Sequence, residues 1–191
     1  MITIGILAIQ GAFIEHAHKL AKLGVKTFEI RQKKDLLIPM DGLILPGGES
    51  TTMGRLLDDL DLFTPIKKMI EAGFPVLGTC AGMILLAKSL TNSHKTYFET
   101  MDINVIRNAY GRQLGSFVTE EKFNGVLIPM TFIRAPYVDS VGPNVQILAT
   151  VDGKIVATRQ NNQLVTAFHP ELTTSTYIHE YFIDLIKSSN K

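Results

Sequence analysis

Pro75-Val76-Leu77-Gly78-Thr79-Cys80-Ala81-Gly82-Met83-Ile84-Leu85-Leu86 is the stretch whose reading decides the fold. Residues 75–78 form a short apolar run that predicts a buried strand. Residues 81 to about 90 predict a helix. Between them, Gly78-Thr79-Cys80-Ala81-Gly82 has the Gly-x-nucleophile-x-Gly pattern of a strand-to-helix elbow. Such a turn is sharp, so the central residue is held in a strained backbone conformation. Its neighbours must be tiny for the chain to cross itself. A thiol there sits at a helix N-terminus, where the dipole and free N–H groups favour the reactive thiolate. The Ala81 N–H is placed to bind a developing oxyanion.

Working outward, short apolar runs alternate with amphipathic stretches. Residues 4–9, 25–30 and 42–45 predict three more strands. Residues 12–23 have helical spacing, with Ile14, Ala17, Leu20 and Ala21 on one face and Gly24 as a stop. Residues 54–60 and 65–72 also predict helices, and residues 176–187 a closing one. This alternation predicts an α/β fold whose mostly parallel central sheet carries helices on both faces. The middle differs: residues 102–107, 116–119, 126–128, 131–135, 146–151, 155–160 and 164–168 are short strand-like runs. Val151-Asp152-Gly153-Lys154-Ile155 and Arg159-Gln160-Asn161-Asn162-Gln163 read as hairpin turns. This additional antiparallel β portion extends the sheet or packs beside it. No linker, repeat or low-complexity segment interrupts residues 1–191, which predicts one domain.

Composition narrows the function classes. The 191 residues are 46% hydrophobic and 19% charged, with net charge +1. That suits a compact globular chain and gives no basic stripe for nucleic acid. The apolar opening, Met1-Ile2-Thr3-Ile4-Gly5-Ile6-Leu7-Ala8-Ile9, has no basic leader and is too short to cross a membrane. A cytoplasmic location is therefore expected. The lone cysteine excludes an internal disulfide and makes a cysteine-based metal cluster implausible, so no metal or cofactor is expected. By count alone Cys80 reads as a buried small hydrophobe; the elbow around it overturns that.

A thiolate nucleophile needs a proton-shuttling partner. Of five histidines, His16 and His18 lie two apart on a helix, face different directions and read as solvated. His94 lies in a polar stretch and His179 on the closing helix. His169 is different, because it ends the apolar run Leu164-Val165-Thr166-Ala167-Phe168 and begins His169-Pro170-Glu171. In extended chain, residues two apart share a side, and Pro170 biases His169 towards extended backbone. Glu171 can then grip and orient the imidazole. Upstream, Leu43-Ile44-Leu45-Pro46-Gly47-Gly48-Glu49-Ser50 runs from a strand into a turn whose bare backbone can approach a ligand. It lacks the Walker lysine of a phosphate loop.

Three signatures now stand in order: Pro-Gly-Gly-Glu-Ser, Gly-Thr-Cys-Ala-Gly and His-Pro-Glu. Together they resemble class I (triad) glutamine amidotransferases. Leu7-Ala8-Ile9-Gln10-Gly11-Ala12, Glu49-Ser50-Thr51-Thr52-Met53, Arg107-Asn108-Ala109-Tyr110-Gly111-Arg112-Gln113 and Phe132-Ile133-Arg134-Ala135-Pro136 narrow this. They are similar to the glutaminase subunits of pyridoxal 5′-phosphate synthase.

The resemblance implies a three-layer, flavodoxin-like glutaminase fold and a Cys80–His169–Glu171 triad. It also implies oxyanion donors at the backbone of Gly48 and Ala81. The implied glutamine contacts are Gly48, Glu49, Ser50, Arg107, Ile133 and Arg134. Which arginine takes the substrate carboxylate stays open. The implied partner is a (β/α)₈-barrel synthase that joins the ammonia to ribose 5-phosphate and glyceraldehyde 3-phosphate, in a twelve-plus-twelve assembly. Gln10 is expected to help arrange the glycine turn. The alternatives are a glutaminase subunit of another biosynthetic enzyme and a cysteine hydrolase of the DJ-1/PfpI type.

Overall fold

A computed structural model describes residues 1–109 and 115–189. Five strands form its parallel half: β1 (Thr3–Leu7), β2 (Lys26–Ile30), β3 (Gly42–Leu45), β4 (Val76–Thr79) and β12 (Gln163–Thr166), in the order β2-β1-β3-β4-β12. The paired rows Leu43–Val76–Gln163 and Ile44–Leu77–Leu164 align β3, β4 and β12 in register. The carboxyl ends of these three strands therefore emerge side by side. That is the edge where open α/β sheets place their sites.

Beyond β12 the sheet turns antiparallel through β11 (Lys154–Gln160), β9 (Tyr137–Val141) and β6 (Met101–Ile106), and ends on β5 (Ala87–Leu90), which pairs with β6 in parallel. A further strand, β10 (Gln146–Val151), pairs with β11 through the Asp152-Gly153 turn. β7 (Ser116–Phe123) and β8 (Val126–Ile133) form a separate two-stranded ribbon. The expected additional antiparallel portion thus both extends the central sheet and packs beside it. Its Asn124-Gly125 turn has both residues at positive φ, the conformation a tight hairpin asks for.

The helices cover the sheet: α1 (Phe13–Lys22), α2 (Ser50–Asp59), α3 (Phe63–Glu71), α4 (Ala81–Leu86) and α5 (Tyr177–Ser189). One continuous apolar core joins sheet and helices, with Leu43, Ile44, Leu45, Val76 and Leu77 fully inaccessible.

Four expectations change. The helix after the elbow stops at Leu86, and residues 87–90 become β5. Every residue of α4 is buried, so periodicity cannot mark where helix gives way to strand. The runs 126–128 and 131–135 are one strand, β8, which passes through Pro129. Proline is tolerated in this ribbon because an edge strand need not donate every N–H. β9 lay outside the expected strands; it carries too few apolar residues to show an alternation.

The inner face of α1 is also rotated. Ile14 is 50% exposed, while His16, Lys19 and Leu20 are buried. The polar pair turns inward because it has buried partners there, described below. His16 is therefore not solvated. Among the described residues, no helix is long and apolar enough to cross a membrane.

Candidate active site

Cys80 follows β4 and has φ 49° and ψ −99°, a conformation that costs a non-glycine residue strain. Its N–H donates to the Thr166 carbonyl at 2.8 Å, which ties the elbow to the end of β12. A Cβ on Gly78 would lie 2.8 Å from the Gly82 carbonyl carbon, and one on Gly82 would overlap the Leu45 carbonyl oxygen. Only glycine lets the chain cross itself there. α4 is a single short helix of six residues, so its dipole is weaker than the longer expected helix would give. The Ala81 N–H, in the first turn, has no intrahelical acceptor.

His169 arrives from the neighbouring strand. Its N–H donates to the Thr131 carbonyl at 2.8 Å, anchoring it to β8. Its ring Nδ1–H donates to Glu171 Oε1 at 2.7 Å, and the Cys80 side chain lies close enough to the same ring to raise its pKa. Burial opposes a charge on the imidazole. The hydrogen bonds to Cys80 and Glu171, with the negative charge beside it, prevail and push its pKa up to about 10. Burial likewise opposes the Glu171 charge, but His16 and His169 hold its pKa below the usual carboxylate value. The structure therefore brings Cys80, His169 and Glu171 together as a connected chain, with 7%, 7% and 5% of each residue exposed.

The glycine turn after β3 closes over this group. A Cβ on Gly47 would lie 2.9 Å from His169 Nδ1 and 3.4 Å from the Cys80 Cβ. The Gly47 carbonyl accepts from the Ala12 N–H at 3.0 Å. In a trans peptide the Gly48 N–H must then point away from Ala12. Gln10 Oε1 accepts from the Glu49 N–H at 2.8 Å, so Gln10 sits against the turn as expected. The Glu49 carboxylate caps α2, accepting from the N–H groups of Thr51 and Thr52 at 3.0 and 2.7 Å. Partial burial opposes its charge, yet these bonds hold its pKa at about 2.

A cavity of about 500 Å³ opens between the turn and the elbow. Gly48, Glu49, Ser50, Cys80, Arg107, Ile133, Arg134 and His169 all line it, so each expected glutamine contact faces one space. Ala81 is not among its lining residues. The Arg107 guanidinium donates to Thr51 Oγ1 at 3.2 Å and pairs with Glu49 at 3.5 Å. Arg134 follows β8 at φ 44° and is exposed. Residues 110–113 of the motif beginning at Arg107 lie outside the described residues.

Sequence reasoning missed His16 and His179. His16 Nδ1 lies 2.9 Å from His179 Nε2, and His16 Nε2 lies 3.4 Å from Glu171 Oε2. Their only sequence signal is a histidine on the helix face that also carries Leu20, which hydropathy reads as polar and outward.

The chain matches the SNO glutamine amidotransferase family over residues 6–188. It is similar to the pyridoxal 5′-phosphate synthase subunit PdxT of Haemophilus influenzae (strain PittEE), with 58% identity covering 96% of this chain and 98% of the relative. It is 56% identical to the PdxT subunit of Streptococcus pneumoniae (strain CGSP14), covering 98% and 99%. A crystal structure of a glutamine amidotransferase superposes with TM-score 0.90 at 38% identity, covering 96% and 98%. With this fold and this cavity, the chain belongs to the SNO glutamine amidotransferase family.

Proposed function

We propose that this chain is the glutaminase subunit of a pyridoxal 5′-phosphate synthase, acting as one domain in the cytoplasm. The observation that carries the reading is the buried Cys80–His169–Glu171 chain opening on the 500 Å³ cavity. The 58% identity to a PdxT subunit supports this synthase over another biosynthetic partner. The His-Pro-Glu strand end speaks against a DJ-1/PfpI-type hydrolase.

The Cys80 sulfur attacks the side-chain carbonyl carbon of L-glutamine, and the carbonyl becomes an oxyanion. The Gly48 and Ala81 N–H groups receive it. His169, already charged at neutral pH, gives its proton to the amide nitrogen. The C–N bond breaks and ammonia leaves a glutamyl thioester. Water then attacks, His169 takes one of its protons, the C–S bond breaks, and glutamate departs. Glu171 keeps the imidazole in the tautomer both steps need. The new carboxyl sheds its proton to solvent, so the balance is glutamine plus water giving glutamate, ammonia and a proton.

Arg107 takes the substrate carboxylate. Its side chain is 22% exposed and already held by Glu49 and Thr51, so little side-chain freedom remains to be lost. Gly48, Glu49, Ser50, Ile133 and Arg134 supply the remaining contacts. The ammonia passes to a docked (β/α)₈-barrel synthase, in an assembly of twelve subunits of each kind. Gln10 steadies the glycine turn through the Glu49 N–H. Full synthase-stimulated activity in Gln10→Ala would remove that role.

The deciding experiment is glutamate release from glutamine, measured with and without a barrel-type pyridoxal 5′-phosphate synthase. Strong stimulation by the synthase is expected. No stimulation would sink the choice of partner.

A further inference from the structure

Behind the triad lies a second set of polar side chains that the reaction above does not use. His16, Thr79 and His179 are all completely inaccessible, on α1, β4 and α5. Burying three polar side chains beside a carboxylate is expensive unless they bond one another. They do: His16 Nε2 lies 3.2 Å from Thr79 Oγ1 and 3.4 Å from Glu171 Oε2, and His16 Nδ1 lies 2.9 Å from His179 Nε2.

Burial holds both rings neutral, against the pull of Glu171 on His16. Each neutral ring carries one N–H, so there are two ways to place the protons. In one, His16 Nδ1–H donates to His179. His179 Nδ1–H is then a buried donor with no acceptor among the described residues, and a lone pair of His16 faces the Glu171 carboxylate. In the other, His179 Nε2–H donates to His16 Nδ1, and His16 Nε2–H faces Thr79 and Glu171. That arrangement leaves only an empty acceptor on His179 and sets a donor before the anion. Stranding a buried donor and opposing a lone pair to a carboxylate both cost more, so the second holds.

Glu171 needs such a donor. Its Oε1 is held by His169, but its buried Oε2 has no hydrogen-bond partner among the described residues. The other charged or titratable groups near the two rings are His169 and Glu15 beside His16 and Lys19 beside His179. Lys19 spends its donors on the carbonyls of Thr173 and Ser175, which anchors the turn after Glu171 to α1. Besides the backbone N–H of Glu171 itself, which also favours the charged carboxylate, the side-chain nitrogen that faces Oε2 among the described residues is His16 Nε2, at 3.4 Å.

We propose that His16 is a positioning residue for the triad, and that His179 acts through it. His179 fixes the His16 tautomer, and the His16 Nε2–H, bonded to Thr79 and 3.4 Å from Glu171 Oε2, attracts that second oxygen electrostatically so that Oε1 stays aligned on His169. This inference rests on the glutaminase reading.

The test uses the chain docked on its barrel synthase partner. His16→Phe keeps ring size and removes the donor. It should lower kcat for glutamate release ~10- to 100-fold, the scale of a small misplacement of a catalytic group, and leave KM within about twofold. The far-downfield NMR resonance of the His169 Nδ1 proton should shift or broaden. His16→Gln, which offers an amide donor, should recover most of kcat. His179→Leu should lower kcat less than His16→Phe does, and the double variant should be no worse than His16→Phe alone.

Wild-type kcat within about twofold in His16→Phe, with an unmoved NMR resonance, overturns the proposal. So do losses that multiply in the double variant. If His16→Phe does not fold, His179→Leu alone decides: an unchanged kcat and resonance overturn the proposal too. A wild-type complex that releases no glutamate would instead defeat the glutaminase reading itself.

Discussion

The cavity has two walls built on opposite principles. One wall carries Cys80 and His169, with Glu171 behind them, each at most 7% exposed. The other carries Glu49, Ile133 and Arg134, which are exposed, with Arg107 between the two. The buried wall is held by backbone: Cys80 N–H on Thr166, His169 N–H on Thr131, and glycines where Cβ atoms would collide. The exposed wall is held by side chains, namely Glu49 on the α2 N-terminus and Arg107 on Thr51 and Glu49. Chemistry is thus placed by the fold, and recognition by groups that a single substitution can remove without disturbing it. Damage to the buried wall should appear in kcat, and damage to the exposed wall in KM.

The largest effect should come from the centre of the buried wall. Glu171→Gln keeps the shape but removes the charge that orients His169. Turnover should fall by roughly 10²- to 10⁴-fold with KM nearly unchanged. A drop confined to KM would erase the distinction between the walls.

Next comes the seam where the walls meet. Gly47→Ala would press its methyl against the His169 ring. Because the ring must move or the turn must open, kcat should fall by about 10- to 100-fold. Circular dichroism should still report a folded chain. A fully active Gly47→Ala would show that the turn is loose.

On the exposed wall, Arg107→Ala should raise KM for glutamine by about 10-fold or more, since a charge-assisted hydrogen bond contributes ~1.5–3 kcal/mol. Arg134→Ala should raise it less. The reverse order would hand the carboxylate to Arg134.

The smallest effect concerns stability. Glu49→Ala removes the α2 cap and should cost about 0.5–2 kcal/mol in denaturant unfolding at neutral pH. The folded-state pKa of Glu49 is depressed to about 2, so the cap contributes above the ordinary carboxylate range. Its contribution is lost as pH falls through about 2. The gap between wild type and variant should therefore close in acid, and a gap that stays constant would mean the carboxylate is not the cap.

The same contrast explains what could be read from sequence. The elbow, the glycine turn and His-Pro-Glu are legible because backbone geometry demands particular residues at fixed spacings. Gly78 and Gly82 cannot be anything larger. The expected extended His-Pro-Glu segment is instead a single 3₁₀ turn, Pro170–Leu172, which begins at Pro170 and brings Glu171 back to His169. The parallel half of the sheet is legible because its strands are short apolar runs between helices. The His16–His179 pair is not. Hydropathy sends a histidine outward, and only the tertiary packing of α1 against the turn after β12 and against α5 supplies its partners. The switch from α4 to β5 at Ala87 is hidden too, since an element buried on every side shows no period. The strand through Pro129 runs against a local rule that holds for central strands and relaxes in an isolated ribbon.

The central claim is that Cys80 is a nucleophile facing this cavity. Its most direct test is to treat the chain, docked on its synthase partner, with a glutamine-mimicking electrophile and to locate the label by mass spectrometry. The account predicts one label per chain, on Cys80, slowed by excess glutamine and absent in Cys80→Ala. Labelling that leaves Cys80 untouched, or that glutamine does not slow, would contradict it.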